Sequence, residues 1–169
     1  SRDVYRALEE EFGIVDYFVD LHNQWPCYAQ EGTGNMSPLS ISARFIDDPT
    51  EFGDWPNFDY DASRRANVAV YDALQGHGNS GFGHITLYPQ DTNLPGTALG
   101  SFALRGSATV LFETSSNTQS DGQKRNGFLT KQVETGLMGL ITAVADGSVD
   151  TLDPQDYEEI PERIYLPAD

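Results

Sequence analysis

The sequence predicts an α/β fold, a mixed and mostly buried sheet flanked by helices, and three stretches carry that prediction. Ile14, Val15, Tyr17, Phe18, Val19 and Leu21 form a short β-branched and aromatic run, the composition of a strand covered on both faces and therefore central in its sheet. Ser107 to Ser115 (Ser-Ala-Thr-Val-Leu-Phe-Glu-Thr-Ser) repeats the plan. From Lys124 to about Asp146, Leu129, Val133, Leu137, Leu140, Ile141 and Val144 recur at helical spacing, which predicts a long helix lying across one face of that sheet.

In chain order, Arg2 to Phe12 spaces Val4, Leu8 and Phe12 by four with charges between them, a helix that Gly13 ends as a C-cap. The first strand follows and closes on a polar burst, Asp20, His22, Asn23 and Gln24. In open α/β sheets ligands bind just outside the carboxyl ends of strands, so His22 stands where a functional imidazole would stand. Trp25 to about Tyr60 is rich in Gly, Pro, Ser and Asn, with one extended candidate at Ser40 to Ile46; a connection that long in a compact domain is usually functional or mobile.

Asp61 or Ser63 is expected to cap a helix running to about Gln75. Its small face, Ala62, Ala66, Ala69 and Ala73, allows close packing while Val70 and Leu74 reach the core. Gly76 ends it. A glycine-rich loop, His77 to His84, leads to a short strand, Ile85 to Tyr88, and Pro89 to Gly96 is a further loop. Thr97 to Leu104 reads as a short helix closed by Gly106, after which the second buried strand delivers Glu113 near its far end. Two such strands presenting a His and a Glu suggest one site, although polar residues at strand ends also serve simply to cap loops. Gly147 stops the last helix, and Ser148 to Asp169 is an acidic tail punctuated by Pro154, Pro161 and Pro167, with no clear element.

Composition narrows the classes of function. With 169 residues, 38% of them hydrophobic, the chain can bury a core of its own, and no apolar run is long enough to cross a bilayer. The formal charge of −16, from 26 acidic and 10 basic residues, repels phosphate backbones and anionic membranes; neither nucleic acid nor a membrane is an expected partner. Cys27 is the only cysteine, outside any C-x-x-C context, and reads as a small packing residue. The opening residues contain no positively charged stretch followed by an apolar one, so no signal peptide is expected in them. A chain that starts on a helix feeding directly into a strand reads as the continuation of something longer, and a secreted or periplasmic setting is favoured.

Phe18 to Gln24 (Phe-Val-Asp-Leu-His-Asn-Gln) and Ala103 to Thr114 (Ala-Leu-Arg-Gly-Ser-Ala-Thr-Val-Leu-Phe-Glu-Thr) together resemble the zinc carboxypeptidases of the pancreatic carboxypeptidase superfamily, and the order of elements extends the resemblance up to the last helix. It implies that residues 1–147 are the carboxyl-terminal part of such a catalytic domain, followed by the 148–169 tail. His22 would then be the third zinc ligand, Glu113 the catalytic carboxylate, and Tyr88 a substrate-contacting tyrosine, unless it is amphipathic packing at a strand end. A peptide or protein would be the substrate and Zn²⁺ the cofactor. Zinc with an open position lowers the pKa of bound water and polarises the scissile carbonyl, while a neighbouring carboxylate takes the water's proton and passes it to the leaving amine.

Asp20 or Asn23 would orient the His22 ring. Arg105 would meet a substrate carboxylate or else pair with a surface acid. His77 and His84, seven residues apart, read as solvated. The sequence also departs from the family. None of its three histidines has a glutamate three positions later, so the H-x-x-E pair of ligands is missing, as is the Asn-Arg element that grips the substrate's terminal carboxylate. Zinc is thus expected to be weak or absent in this chain alone, with the missing amino-terminal part of the same domain as its partner. Two alternatives stay open: a related zinc amidohydrolase acting on N-acyl amino acids, and a non-catalytic binding module on the same scaffold.

Overall fold

In the computed structural model, residues 2–25, 27–34, 39–44, 55–77, 82, 84–88, 96–115 and 123–166 are described. Helices α1 (Arg2–Phe12), α2 (Tyr60–Gly76), α3 (Ala98–Ala103) and α4 (Gln123–Asp146) flank a four-stranded mixed sheet. Its strands are β1 (Tyr17–Asn23), β3 (Leu39–Ser42), β4 (Ile85–Leu87) and β5 (Ala108–Thr114), in spatial order β1-β5-β3-β4. β1 runs parallel to β5, β5 antiparallel to β3, and β3 parallel to β4. A separate antiparallel ribbon joins β2 (Tyr28–Gln30) to β6 (Arg163–Tyr165). Among the described residues no helix is long and apolar enough to cross a membrane.

Strand alternation assigns the faces. Tyr17 and Val19 of β1 and Val110 and Phe112 of β5 belong to the main core with α2 and α4. On the other face Phe18 stacks on Phe102 of α3 at 3.9 Å between ring centroids, and Leu111 packs with Leu99 and Ala103. α2 and α4 approach closely because small residues face each other. A Cβ added at Gly139 would collide with the Ala73 methyl and lie 3.3 Å from the Ala69 carbonyl oxygen, and one added at Gly136 would collide with the Phe112 ring. The small face foreseen on α2 is therefore where the two helices touch. Gly139→Ala is expected to lose about 1–2 kcal/mol despite alanine's better helix propensity, because backbone rather than a flexible side chain must yield. Urea unfolding measures this, and an unchanged or raised midpoint would contradict it.

Several expectations are corrected. β1 is not a central strand covered on both faces: it is the sheet's edge, half-buried from Tyr17 to Asp20 and exposed from Leu21 to Asn23. Its apolar composition reports what it is able to bury, and nothing among the described residues pairs with its outer side. α1 packs through Tyr5, which is buried against Phe102, while Val4 and Phe12 are 60% and 70% exposed. The α4 stripe is likewise only partly covered, Leu140 being buried and Ile141 and Val144 exposed. With Tyr17 and Val19 they line an apolar groove beside the open edge. An unpaired edge next to exposed apolar surface templates association, so the isolated chain is expected to show a concentration-dependent mass in sedimentation; a monomer up to the solubility limit would contradict this.

The α2 cap is Asp59 rather than the expected Asp61 or Ser63, with its carboxylate accepting from the Ala62 N–H at 2.9 Å. The extended candidate at Ser40 to Ile46 is realised only in part: β3 ends at Ser42, Ala43 and Arg44 lie beyond the strand, and residues 45 and 46 are outside the described residues. Gly147, at φ +78°, closes α4 in the left-handed conformation that glycine adopts without strain. The tail, expected to lack clear elements, carries 3-10 turns at Ser148–Thr151 and Pro154–Glu159 and then β6. Tyr157 and Ile160 enter the main core. Glu158 clamps the tail to the body, taking Arg64 Nη1 at 3.2 Å, Arg44 Nη2 at 3.4 Å and the Tyr60 hydroxyl at 3.1 Å.

Candidate active site

β1 and β5 run parallel in a register that pairs His22 with Glu113 directly, one residue before each strand ends. Both residues fall on the α3 face, two positions beyond Asp20 and Leu111, because side chains alternate along an extended strand. α3 covers only the earlier part of that face, leaving the carboxyl end for polar groups. Asp20 and His22 stay on one side since β1 remains extended through Asn23, and the imidazole Nε2 lies 3.2 Å from Asp20 Oδ1. With the Nε2 proton donated to that carboxylate, Nδ1 carries the ring's lone pair. His22 is 53% exposed, so a ligand can reach it.

Glu113 is enclosed, with 12% of its side chain exposed. Burial pushes its carboxyl pKa above the ordinary glutamate value, and the Arg163 guanidinium, joined by the His22 imidazole when it is protonated, pulls it back without cancelling the rise. Arg163 reaches Glu113 from the tail: Nη1 lies 3.4 Å from Glu113 Oε2 and donates to Gln24 Oε1 at 2.6 Å. The same Gln24 oxygen accepts from Ser40 Oγ at 2.9 Å, and Ser40 in turn meets Thr86 Oγ1 at 2.8 Å. The guanidinium lies between the rings of Tyr28 and Tyr88, 3.7 and 4.2 Å from their centroids. One polar chain thus links the ends of β1, β5, β3, β4 and β6.

Of the residues singled out from sequence, His22, Asp20, Glu113 and Tyr88 come together here, Tyr88 through its contact with Arg163. Asn23 does not: alternation turns it to the opposite face from His22, leaving Asp20 as the group that holds the ring. Arg105 lies before β5 begins, at the other end of a strand that runs roughly 16 Å from Ala108 to Glu113 at about 3.3 Å per residue. There its guanidinium pairs with Glu9 at 3.2 Å and covers the Tyr5 ring, so of its two expected roles the ion pair is the one seen. His77 packs on Phe82, which belongs to the main core. Arg163 and Tyr28 escaped the sequence reading; the only signal for Arg163 was the Arg-Ile-Tyr alternation after Pro161.

As a zinc site the arrangement is incomplete. Among the described residues no three His, Cys, Asp or Glu side chains are grouped as a metal ion requires. His22 offers one imidazole, Asp20 is engaged with that imidazole, and Glu113 faces Arg163, so these residues alone do not fit a closed zinc shell. No protein-family model matches the chain, and neither a curated protein nor a solved structure is detectably similar to it. What fold and site define together is a mixed α/β sheet carrying an accessible imidazole and an enclosed carboxylate side by side at the carboxyl ends of parallel strands.

Proposed function

We propose that this chain is the carboxyl-terminal half of a zinc metallocarboxypeptidase, an enzyme hydrolysing carboxyl-terminal peptide bonds. The observation that supports the reading most is the register pairing His22 with Glu113, since it brings the two residues of the resemblance to one end of one sheet. In this reading His22 supplies one metal ligand, held in orientation by Asp20. The H-x-x-E ligands and the Asn-Arg grip for the substrate carboxylate come from polypeptide outside the chain. Glu113 removes a proton from the attacking water and returns it to the leaving amine. Its enclosure suits that task, because a base with a raised pKa takes up the proton more readily than an ordinary glutamate does.

The test uses the full-length gene product and the isolated chain. Stoichiometric zinc and release of the last residue from a free-carboxylate peptide, but not from a carboxyl-blocked one, are expected of the full-length protein alone. Hydrolysis of N-acyl amino acids without peptide cleavage would instead indicate the amidohydrolase. A full-length protein binding no zinc and cleaving neither would leave a non-catalytic scaffold.

A further inference from the structure

We propose that Arg163 is a positioning residue for Glu113, delivered by the tail to fix the carboxylate where a general base is wanted. The proposal rests on the reading of Glu113 as that base, while the geometry behind it belongs to Arg163. Its side chain is 4% exposed, and aromatic rings lie within 3.7 and 4.2 Å of the guanidinium carbon. The rings of Tyr28 and Tyr88 cover the guanidinium and keep water from it, which limits its freedom to move. The guanidinium's N–H edge meets Gln24 and Glu113.

Gln24 is held in its turn. Its oxygen accepts from Ser40 of β3 as well as from Arg163, and Ser40 stands in register with Glu113 on the neighbouring strand. The position of Nη1 is therefore set from β1, β3 and β6 together. The main chain holds β6 from both sides: Gln30 pairs with Arg163, Glu31 N donates to Glu162 O at 3.0 Å, and Leu87 N donates to Pro161 O at 2.8 Å. Glu113 is met by one nitrogen at one oxygen rather than by a bidentate fork, so its orientation is set without both oxygens being occupied.

A neutral side chain would fill the space between the two rings without the penalty of a buried charge. Arg163 also keeps its Nε–H buried with no partner among the described residues. What the charge supplies at this place is attraction on the Glu113 carboxylate. A purely structural anchor would leave Glu113 indifferent to its loss.

The experiment compares Arg163→Gln, Arg163→Lys and Arg163→Ala. In the full-length gene product, Arg163→Gln is expected to lower kcat by about 10²-fold with KM little changed, the scale on which misplacing a catalytic group is felt. Arg163→Lys should recover part of the loss, and added methylguanidinium should recover part of it in Arg163→Ala. Independently of activity, carbodiimide labelling of Glu113, followed by peptide mass spectrometry, should accelerate in Arg163→Gln while circular dichroism stays unchanged. Unchanged Glu113 labelling together with an unchanged kcat would overturn the proposal. So would a kcat loss that neither Lys nor methylguanidinium recovers, with labelling unchanged, since that describes structural damage. Were the full-length protein inactive, the proposed hydrolase would fall and the labelling alone would decide whether Arg163 governs Glu113.

Discussion

Glu113→Gln in the full-length gene product is expected to lower the turnover of carboxyl-terminal hydrolysis by about 10²–10⁴, the range supplied by a positioned general base. The substitution keeps the side chain's volume and leaves an oxygen that can accept from Arg163, so KM and the fold should change little. What disappears is the ability to take a proton. The pH dependence gives a second readout. Burial raises the Glu113 pKa, and Arg163, joined by His22 when it is protonated, only partly offsets the rise. The base works deprotonated, so activity falls as the pH drops through that raised value. An acid limb is therefore expected in kcat/KM, and it should be missing from the residual activity of Glu113→Gln. Activity surviving the substitution would mean that another group is the base.

How much of this could be read from the sequence depended on whether a feature is periodic and local. β5 and α4 were legible because their apolar positions recur at periods set by the backbone itself. The end of β1 at His22 was legible as well, from the change to polar residues. Its place in the sheet was not, because composition records which faces a strand is able to bury and not which neighbours are present to bury them. Arg105 shows the opposite limit. It is close to Glu113 in sequence, yet an extended strand carries the two to opposite ends of the sheet.

The tail was opaque for a different reason. Its 3-10 turns repeat too briefly to show a period, its prolines read as breaks, and β6 is three residues long. It is defined by partners far away in sequence: Arg163 pairs with Gln30, and Glu162 bridges to Leu87. Arg163 became part of the candidate site through those pairings and through no motif of its own. The candidate site was thus half legible: two strand ends announced themselves, and the cation between them did not.

The same tail makes Tyr157→Ala the substitution expected to cost most in stability. Tyr157 is fully buried within the main core, and its hydroxyl accepts from Ala43 N at 3.0 Å and lies 3.5 Å from Ser42 Oγ. Burial pushes its phenol pKa up, so it stays a neutral hydroxyl where an ordinary tyrosine would begin to ionise. Truncating a buried aromatic ring loses about 3–5 kcal/mol, and the Ala43 N–H is left without its partner at the end of β3. A loss of about 4 kcal/mol would lower the melting temperature of a chain this size by roughly 10 °C. Tyr157→Phe removes only the hydroxyl and should lose about 1–3 kcal/mol, the cost of an unsatisfied buried donor. Urea unfolding of the three proteins measures both steps. The effect should also reach the site, because Tyr157 and Ile160 anchor the segment that leads into β6. Conditions that leave Tyr157→Ala folded should therefore show faster Glu113 labelling, as loss of Arg163 does. A stability loss below about 1 kcal/mol, within the range of ordinary surface changes, would mean that the tail lies on the core without being part of it.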